Sequence, residues 1–430
     1  MNGGATSSGS AGSGAGPGSA ESAGRGPADL LVTAIGELVL PEPSRPGVVR
    51  RIRDGAVAVA GRRVLAAGAR ADVERDVDGS RAEIVEAAGG LVCPGFVDCH
   101  THLLFGGSRA GEYVAGLAGP PDVEAIEGPT GIAASVAMTR AASDAELLDA
   151  STARLDAMLR QGTTTAESKT GYGLSVDEEL RLLRLNRRLD EAHPVDLVST
   201  LMAAHAFPPE AASEAAWVDT IVEEIVPAAV ALGAEFNDVF CDEGYFDVEQ
   251  SRRVLEAGRE AGLAPKIHAD QYARLGAAGL AAELRVVSAD HLNRTTDADL
   301  EALAEAGVVG VLMPLIDFAV AHARPVDGRR WVRAGLPIAL ATDLCPGGWA
   351  VSMPLAMQFA CRVSALTPEE ALWAATVGGA RAVGRADRGA LETGELADLV
   401  VIDVPSLDEL VYRIGHAPLR HIVKRGSLVR

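Results

Sequence analysis

The sequence predicts an α/β protein built on a (β/α)8 TIM barrel, with a small composite β-sandwich domain formed by both chain ends. Three observations lead there. Between residues 93 and 386, eight short apolar runs alternate with helical patterns, and strands buried on both faces that alternate with helices form a parallel sheet. Nearly every run ends in residues able to ligate metal or form hydrogen bonds, as expected where active-site groups gather at the C-terminal ends of barrel strands. Short β-like runs flank this region on both sides, and neither set has enough strands to close on itself. A doubly wound open sheet is the alternative fold, but no glycine-rich phosphate turn follows its would-be first strand.

Taken in order, residues 1–26 are almost wholly Gly, Ala and Ser, a composition that buries nothing and is expected to stay disordered. Residues 27–92 carry β-like runs at Leu30 to Ile35, Gly55 to Ala60, Val64 to Ala67 and Ile84 to Ala87. Residues 387–430 answer with Leu399 to Asp403 and His421 to Leu428, so the two ends are expected to complete one sandwich. The eight central runs are Gly95 to His102, Thr163 to Lys169, Leu197 to His205, Asn237 to Glu243, Pro265 to Asp270, Arg285 to His291, Val308 to Pro314 and Pro337 to Asp343. Helices are predicted over Leu174 to Glu191, over Val248 to Ala261 with Asp247 as N-cap, and after Thr367, which opens a Thr-x-x-Glu capping box with Glu370.

The 59 acidic and 39 basic side chains leave a formal charge of −20, which disfavours nucleic acid or an anionic membrane surface as partner. No apolar run approaches the roughly 20 residues of a membrane span, and the N-terminus lacks the basic and apolar regions of a signal peptide. Five scattered cysteines without a C-x-x-C pair suggest neither a disulfide framework nor a structural zinc knuckle, and fit a reducing cytoplasm.

Chemistry concentrates first at His100-Thr101-His102. In a strand, residues two apart share a face, so both imidazoles can hold one metal ion. His268 at the end of the fifth run and Asp343 at the end of the eighth would complete a His₃Asp site with room for water, a donor mixture suited to zinc or iron(II). Taken singly, each has a bland reading: paired strand histidines are as often core or surface residues, and Asp343 can cap a helix. Arg109 is a fixed cation able to meet a carboxylate in bidentate fashion. Tyr172 lies between two glycines that free the backbone to project its phenol, and His205 ends the third run just before Pro208-Pro209. Lys169 reads as a salt-bridging or substrate-side residue; Asp242 and Glu243 orient neighbouring groups or cap the next helix.

These residues sit in blocks that carry a resemblance: PGFVDCHTHLLFGGSR (94–109), GTTTAESKTGYGL (162–174), AAHAFPPE (203–210), IHADQ (267–271), ADHL (289–292) and ATDLCPG (341–347). The chain resembles the metal-dependent amidohydrolase superfamily and, within it, the imidazolonepropionase family of histidine degradation. The resemblance implies one zinc or iron ion per subunit, bound by His100, His102, His268 and Asp343. It implies that Arg109 and Tyr172 hold the propionate and ring of a small carboxylate substrate, and that His205 and Gln271 contact the imidazolone. The implied reaction opens 4-imidazolone-5-propanoate at a C–N bond to give N-formimidoyl-L-glutamate, with attack by a metal-activated water. Asp343 would take up the proton, His291 would bond the water or the developing oxyanion, and His205 is a further candidate for proton transfer. Gln271 cannot be the base, because an amide does not titrate. A homodimer is the expected assembly.

Two stretches depart from the family pattern. Cys345 stands where an asparagine usually meets the polar end of the substrate, which leaves that contact to Cys345 itself or to backbone near Gly347. The loop after Arg109 reads Gly119-Pro120-Pro121-Asp122 and Gly128-Pro129-Thr130-Gly131 in place of a tyrosine and a run of glycines. Both departures lie on the substrate side. They keep open an amidohydrolase for another carboxylate-bearing cyclic amide or amidine, of hydantoin- or thiohydantoin-propionate type. An answer of another class is a catalytically silent barrel with a binding or assembly role.

Overall fold

The computed structural model describes residue 1, residues 26–117 and residues 129–430. The N-terminal tail up to residue 25, Gly119–Asp122 and Gly128 lie outside the described residues. Gly26, assigned above to the tail, pairs with Val77 in a two-stranded contact.

Eight parallel strands form the barrel in chain order: Phe96–Asp98, Thr163–Lys169, Asp196–Ala204, Phe236–Cys241, Ala264–Ala269, Ser288–His291, Val309–Leu312 and Ile338–Leu340. Each pairs in parallel with the next. The first and eighth strands are the shortest, three residues each, and they meet only beyond their ends. There His102 N–H donates to the Leu344 carbonyl at 2.8 Å and Asp343 N–H to that of His100 at 3.1 Å. The buried Asp98 carboxylate completes the seam, accepting from Thr342 N–H at 3.1 Å and from its hydroxyl at 2.6 Å. A side chain thus supplies hydrogen bonds where the ladder runs out.

The helices follow their local signals. Asp247 and Thr367 both close capping boxes, on Val248–Ala261 and Pro368–Trp373. The helix expected from Leu174 begins at Val176, capped by Ser175. Leu174 itself has φ +47° and gives its N–H to the buried Glu179 carboxylate at 2.8 Å, which holds it outside the helix.

The chain ends form one bent eight-stranded sheet. Its pivot is the 12-residue strand Leu30–Pro41, which pairs with Val49–Ala60 along its length, with Glu83–Glu86 near its start and with Leu91–Pro94 near its end. A register shift between Val32 and Ile35, where Ala34 takes φ +53°, bends it so that both neighbours fit on one edge. Leu399–Ile402 then pairs with Leu91–Pro94, bringing the C-terminal strands into the same sheet. Leu38, Val57, Val92, Leu399 and Val423 fill its apolar interior. The unit docks on the barrel through Asp196, at the start of the third barrel strand, which meets Lys424, Arg388 and Arg425.

Candidate active site

Four groups from three distant parts of the chain converge at the C-terminal mouth of the barrel. The backbone bonds at the barrel seam place His100 and His102 beside Asp343, with His100 Nε2 3.6 Å and His102 Nε2 3.9 Å from Asp343 Oδ1. His268, on the fifth strand, brings its ring to 4.4 Å from that of His100, centroid to centroid. His291, ending the sixth strand, stands 5.2 Å from the His268 ring. Asp343 and His291 have φ of +50° and +73°, a left-handed backbone that costs a non-glycine residue about 1–3 kcal/mol and collects at functional sites.

The ring nitrogens facing away from the centre are held by carboxylates. His100 Nδ1 lies 2.6 Å from Asp290 Oδ2, and His268 Nδ1 lies 3.2 Å from Asp238 Oδ1. The opposite Nε2 atoms of both rings are buried without a hydrogen-bond partner, an expensive arrangement unless something else takes the lone pairs. Burial, reinforced by the Lys169 charge and neighbouring imidazoles, pushes His100 well below the usual histidine range, so its ring is neutral and free to ligate. The same holds for His102, where burial and His205 act most. Neutral imidazoles with oriented, unpartnered Nε2 atoms beside a carboxylate fit a borderline divalent metal. His100, His102 and Asp343 bring donor atoms within 4.8 Å of one another, and so do His100, His268 and His291.

Beneath these groups lies a fully buried charge network. Lys169 Nζ meets Asp238 at 2.5 Å, Glu167 at 3.0 Å and Asp290 at 3.5 Å. Lys266 Nζ meets Glu167 at 2.7 Å and the Cys99 carbonyl at 3.2 Å. The period-2 geometry explains the layering: Asp238 pairs with Lys266 in one layer, and His268 with Asp290 in the next.

Above the ligands opens a cavity of about 220 Å³. His102, Arg109, Tyr172, His205, Gln271 and His291 line it, together with Asp343, Cys345 and Gly347, so every residue expected on the substrate side reaches one space. His205 stacks on His102 at 4.8 Å with 12° between planes, and its Nδ1 lies 3.1 Å from the Gly171 carbonyl. Burial first, then His268, lowers its pKa to about 3, which keeps the ring neutral. Gly171 has φ +110°, and a Cβ there would stand 2.8 Å from His205 Nδ1, so the position requires glycine. Glu179 fixes the same loop, accepting from Gly171, Gly173 and Leu174 N–H at 3.1, 2.8 and 2.8 Å. Arg109 sits at the mouth, paired with Glu112 at 2.9 Å. Burial raises the Cys345 thiol well above its usual range, so it faces the cavity protonated and weakly polar.

Known proteins resemble this chain over most of its length. A model described as the amidohydrolase family matches residues 124–430. Imidazolonepropionase of Geobacillus kaustophilus is 44% identical over 354 residues, covering 81% of this chain and 83% of the relative. The enzyme of that name from Symbiobacterium thermophilum is 43% identical over 415 residues, covering 94% and 97%. The chain belongs to the imidazolonepropionase family of amidohydrolases. Solved structures share the fold. An adenosine deaminase from Xanthomonas campestris with bound zinc superposes with a TM-score of 0.70 at 20% identity, over 94% of this chain and 93% of that one. A triazine hydrolase variant gives 0.70 at 15% identity, over 93% and 94%.

Several residues that build the site escape a reading of the sequence. Asp238, Glu179 and Lys266 sit inside runs or patterns assigned by their apolar content, and nothing local distinguishes a buried ion pair from a solvated charge. Lys266 does lie two residues before His268, the parity that puts both on one face of the strand, and that is the signal available for it. Phe240, Tyr245 and Tyr272 also line the cavity; Tyr245 packs against Phe240 with centroids 4.0 Å apart and the ring planes tilted by 31°. Asp242, left between two roles, accepts from Tyr272 and Ala273 N–H at 2.8 and 2.9 Å and so holds the loop that carries Gln271.

Proposed function

We propose that the chain hydrolyses 4-imidazolone-5-propanoate to N-formimidoyl-L-glutamate in histidine degradation, with one zinc or iron ion per subunit held by His100, His102, His268 and Asp343. The observation that carries this reading is the pair of buried, unpartnered Nε2 atoms of His100 and His268, on rings whose other nitrogens are held by Asp290 and Asp238, with His100 Nε2 3.6 Å from the Asp343 carboxylate. When bound, the metal supplies Lewis acidity and acidifies water. The protein groups do the rest. Arg109 at the cavity mouth receives the propionate, while Tyr172, His205 and Gln271 orient the ring. Asp343, which lines the cavity, would take a proton from the attacking water and return it to the leaving ring nitrogen. His291, whose Nδ1 is buried without a partner, is placed to hydrogen-bond the attacking water or the developing oxyanion.

The test uses purified protein stripped with a chelator and reloaded with zinc or iron(II). Consumption of 4-imidazolone-5-propanoate should return with metal, and mass spectrometry should find N-formimidoyl-L-glutamate. Full metal loading without turnover would reject the substrate, and faster turnover of hydantoin- or thiohydantoin-propionate would reassign it. Absence of metal binding would reject the site. The working assembly is proposed as a homodimer in the cytoplasm, in keeping with five free cysteines; light scattering on the eluted protein checks the former. Among the described residues no helix is long and apolar enough to cross a membrane.

A further inference from the structure

A second cluster of cation-binding groups lies below the His100, His102 and Asp343 set. Asp238, His268 and Asp290 bring donor atoms within 4.8 Å of one another, all buried. Glu167 adds a third carboxylate, 3.0 Å from Lys169 Nζ. Two or three carboxylates in a fully buried pocket form a strong ligand set for a divalent cation. In this chain the position is filled from within. Lys169 Nζ stands 2.5 Å from Asp238, 3.0 Å from Glu167 and 3.5 Å from Asp290, which are the contacts a bound cation would seek.

We infer that the Lys169 ammonium is a built-in substitute for a second metal ion, restricting the site to one metal and holding Asp238 and Asp290 in place behind His268 and His100. This rests on the metal-dependent reading above. Charge supports it: Glu167, Asp238 and Asp290 contribute three negative charges, and Lys169 and Lys266 return two. Removing Lys169 would leave a deep excess of negative charge, which a divalent cation is suited to neutralise. Lys266 is the natural contrast. It is equally buried, but its ammonium meets Glu167 at 2.7 Å and the Cys99 carbonyl at 3.2 Å and forms no ion pair within 4.0 Å with Asp238 or Asp290, so it does not occupy the cluster. Lys169 is therefore a positioning residue: it reaches the ligands only through the two aspartates.

The experiment measures metal stoichiometry in the full chain, stripped and then dialysed against excess zinc, by elemental analysis per mole of folded protein. Wild type should retain one equivalent, and Lys169→Ala should retain two, with its lowered thermal midpoint partly restored by zinc. One equivalent in Lys169→Ala, with wild-type affinity and stability, would overturn the inference. Should that variant fail to fold, anomalous diffraction from wild-type crystals soaked in excess zinc decides. One peak bounded by His100, His102, His268 and Asp343 is expected. A second peak among Asp238, His268 and Asp290, or a carboxylated Lys169, would overturn it. Wild type that binds no zinc would instead remove the metal-dependent reading on which the inference stands.

Discussion

At Gly347 an added Cβ would stand 3.3 Å from Arg109 Nη1 and 3.8 Å from Cys345 Sγ. Gly347→Ala should therefore raise KM with little change in kcat, the signature of altered substrate binding. Arg109→Met should raise KM about 10- to 100-fold, since a charge-assisted hydrogen bond is worth about 1.5–3 kcal/mol; steady-state kinetics separate KM from kcat in both cases. Glu179 gives a stability prediction at the same scale. Glu179→Ala strips the acceptor from three buried N–H groups at about 1–3 kcal/mol each, so urea unfolding should show a loss of about 3 kcal/mol or more. Glu179→Gln, which keeps one acceptor oxygen, should recover part of it. At this scale His100 and His102 were legible because they close an apolar run in which alternation places i and i+2 on one face, although the strand itself stops at Asp98. Glu179 was not, because its partners lie in the preceding loop and helix periodicity says only which side of the helix it occupies.

The barrel seam belongs to the scale of elements. The first and eighth strands are short, and the Asp98 carboxylate on Thr342 substitutes for the ladder between them. Thr342→Val removes the hydroxyl that donates to Asp98 and accepts from Leu344 N–H at 3.3 Å. The expected cost is about 1–3 kcal/mol by chemical denaturation, accompanied by weaker metal binding, because Asp343 is the next residue. Stability loss without any change in metal affinity would separate the seam from the site. Helix starts at Asp247 and Thr367 were readable from four-residue signals. The bend in Leu30–Pro41 was not, since it depends on which strands compete for its edges.

For the whole molecule, Asp196 joins the barrel to the composite sheet. Burial pushes its carboxyl up, but Lys424, Arg388 and Arg425 outweigh this and hold it below the usual range. A carboxyl with a folded pKa below its unfolded one adds stability that is present above the unfolded value, near about 3.9, and is lost as pH falls through the folded value. Asp196→Asn should accordingly be less stable than wild type at pH 7, with the gap closing as pH drops below about 4. A gap that stays constant from pH 7 to pH 3 would rule out this linkage. Thermal or urea unfolding followed across that range provides the measurement.

The sequence alone determined the eight-strand barrel pattern and the residues able to ligate metal, because strand periodicity and strand ends are local properties. Residues such as His268 and Asp343 needed only to lie near the ends of apolar runs to be recognised. Tertiary structure decided which buried charges answer one another. Lys169 meets Asp238, 69 positions away, and His100 meets Asp290, 190 positions away. Those pairings depend on the register between neighbouring strands and on closure of the barrel, which bring inward-facing side chains into common layers. No single strand contains that information, and in a buried interior it decides which residues can carry charge.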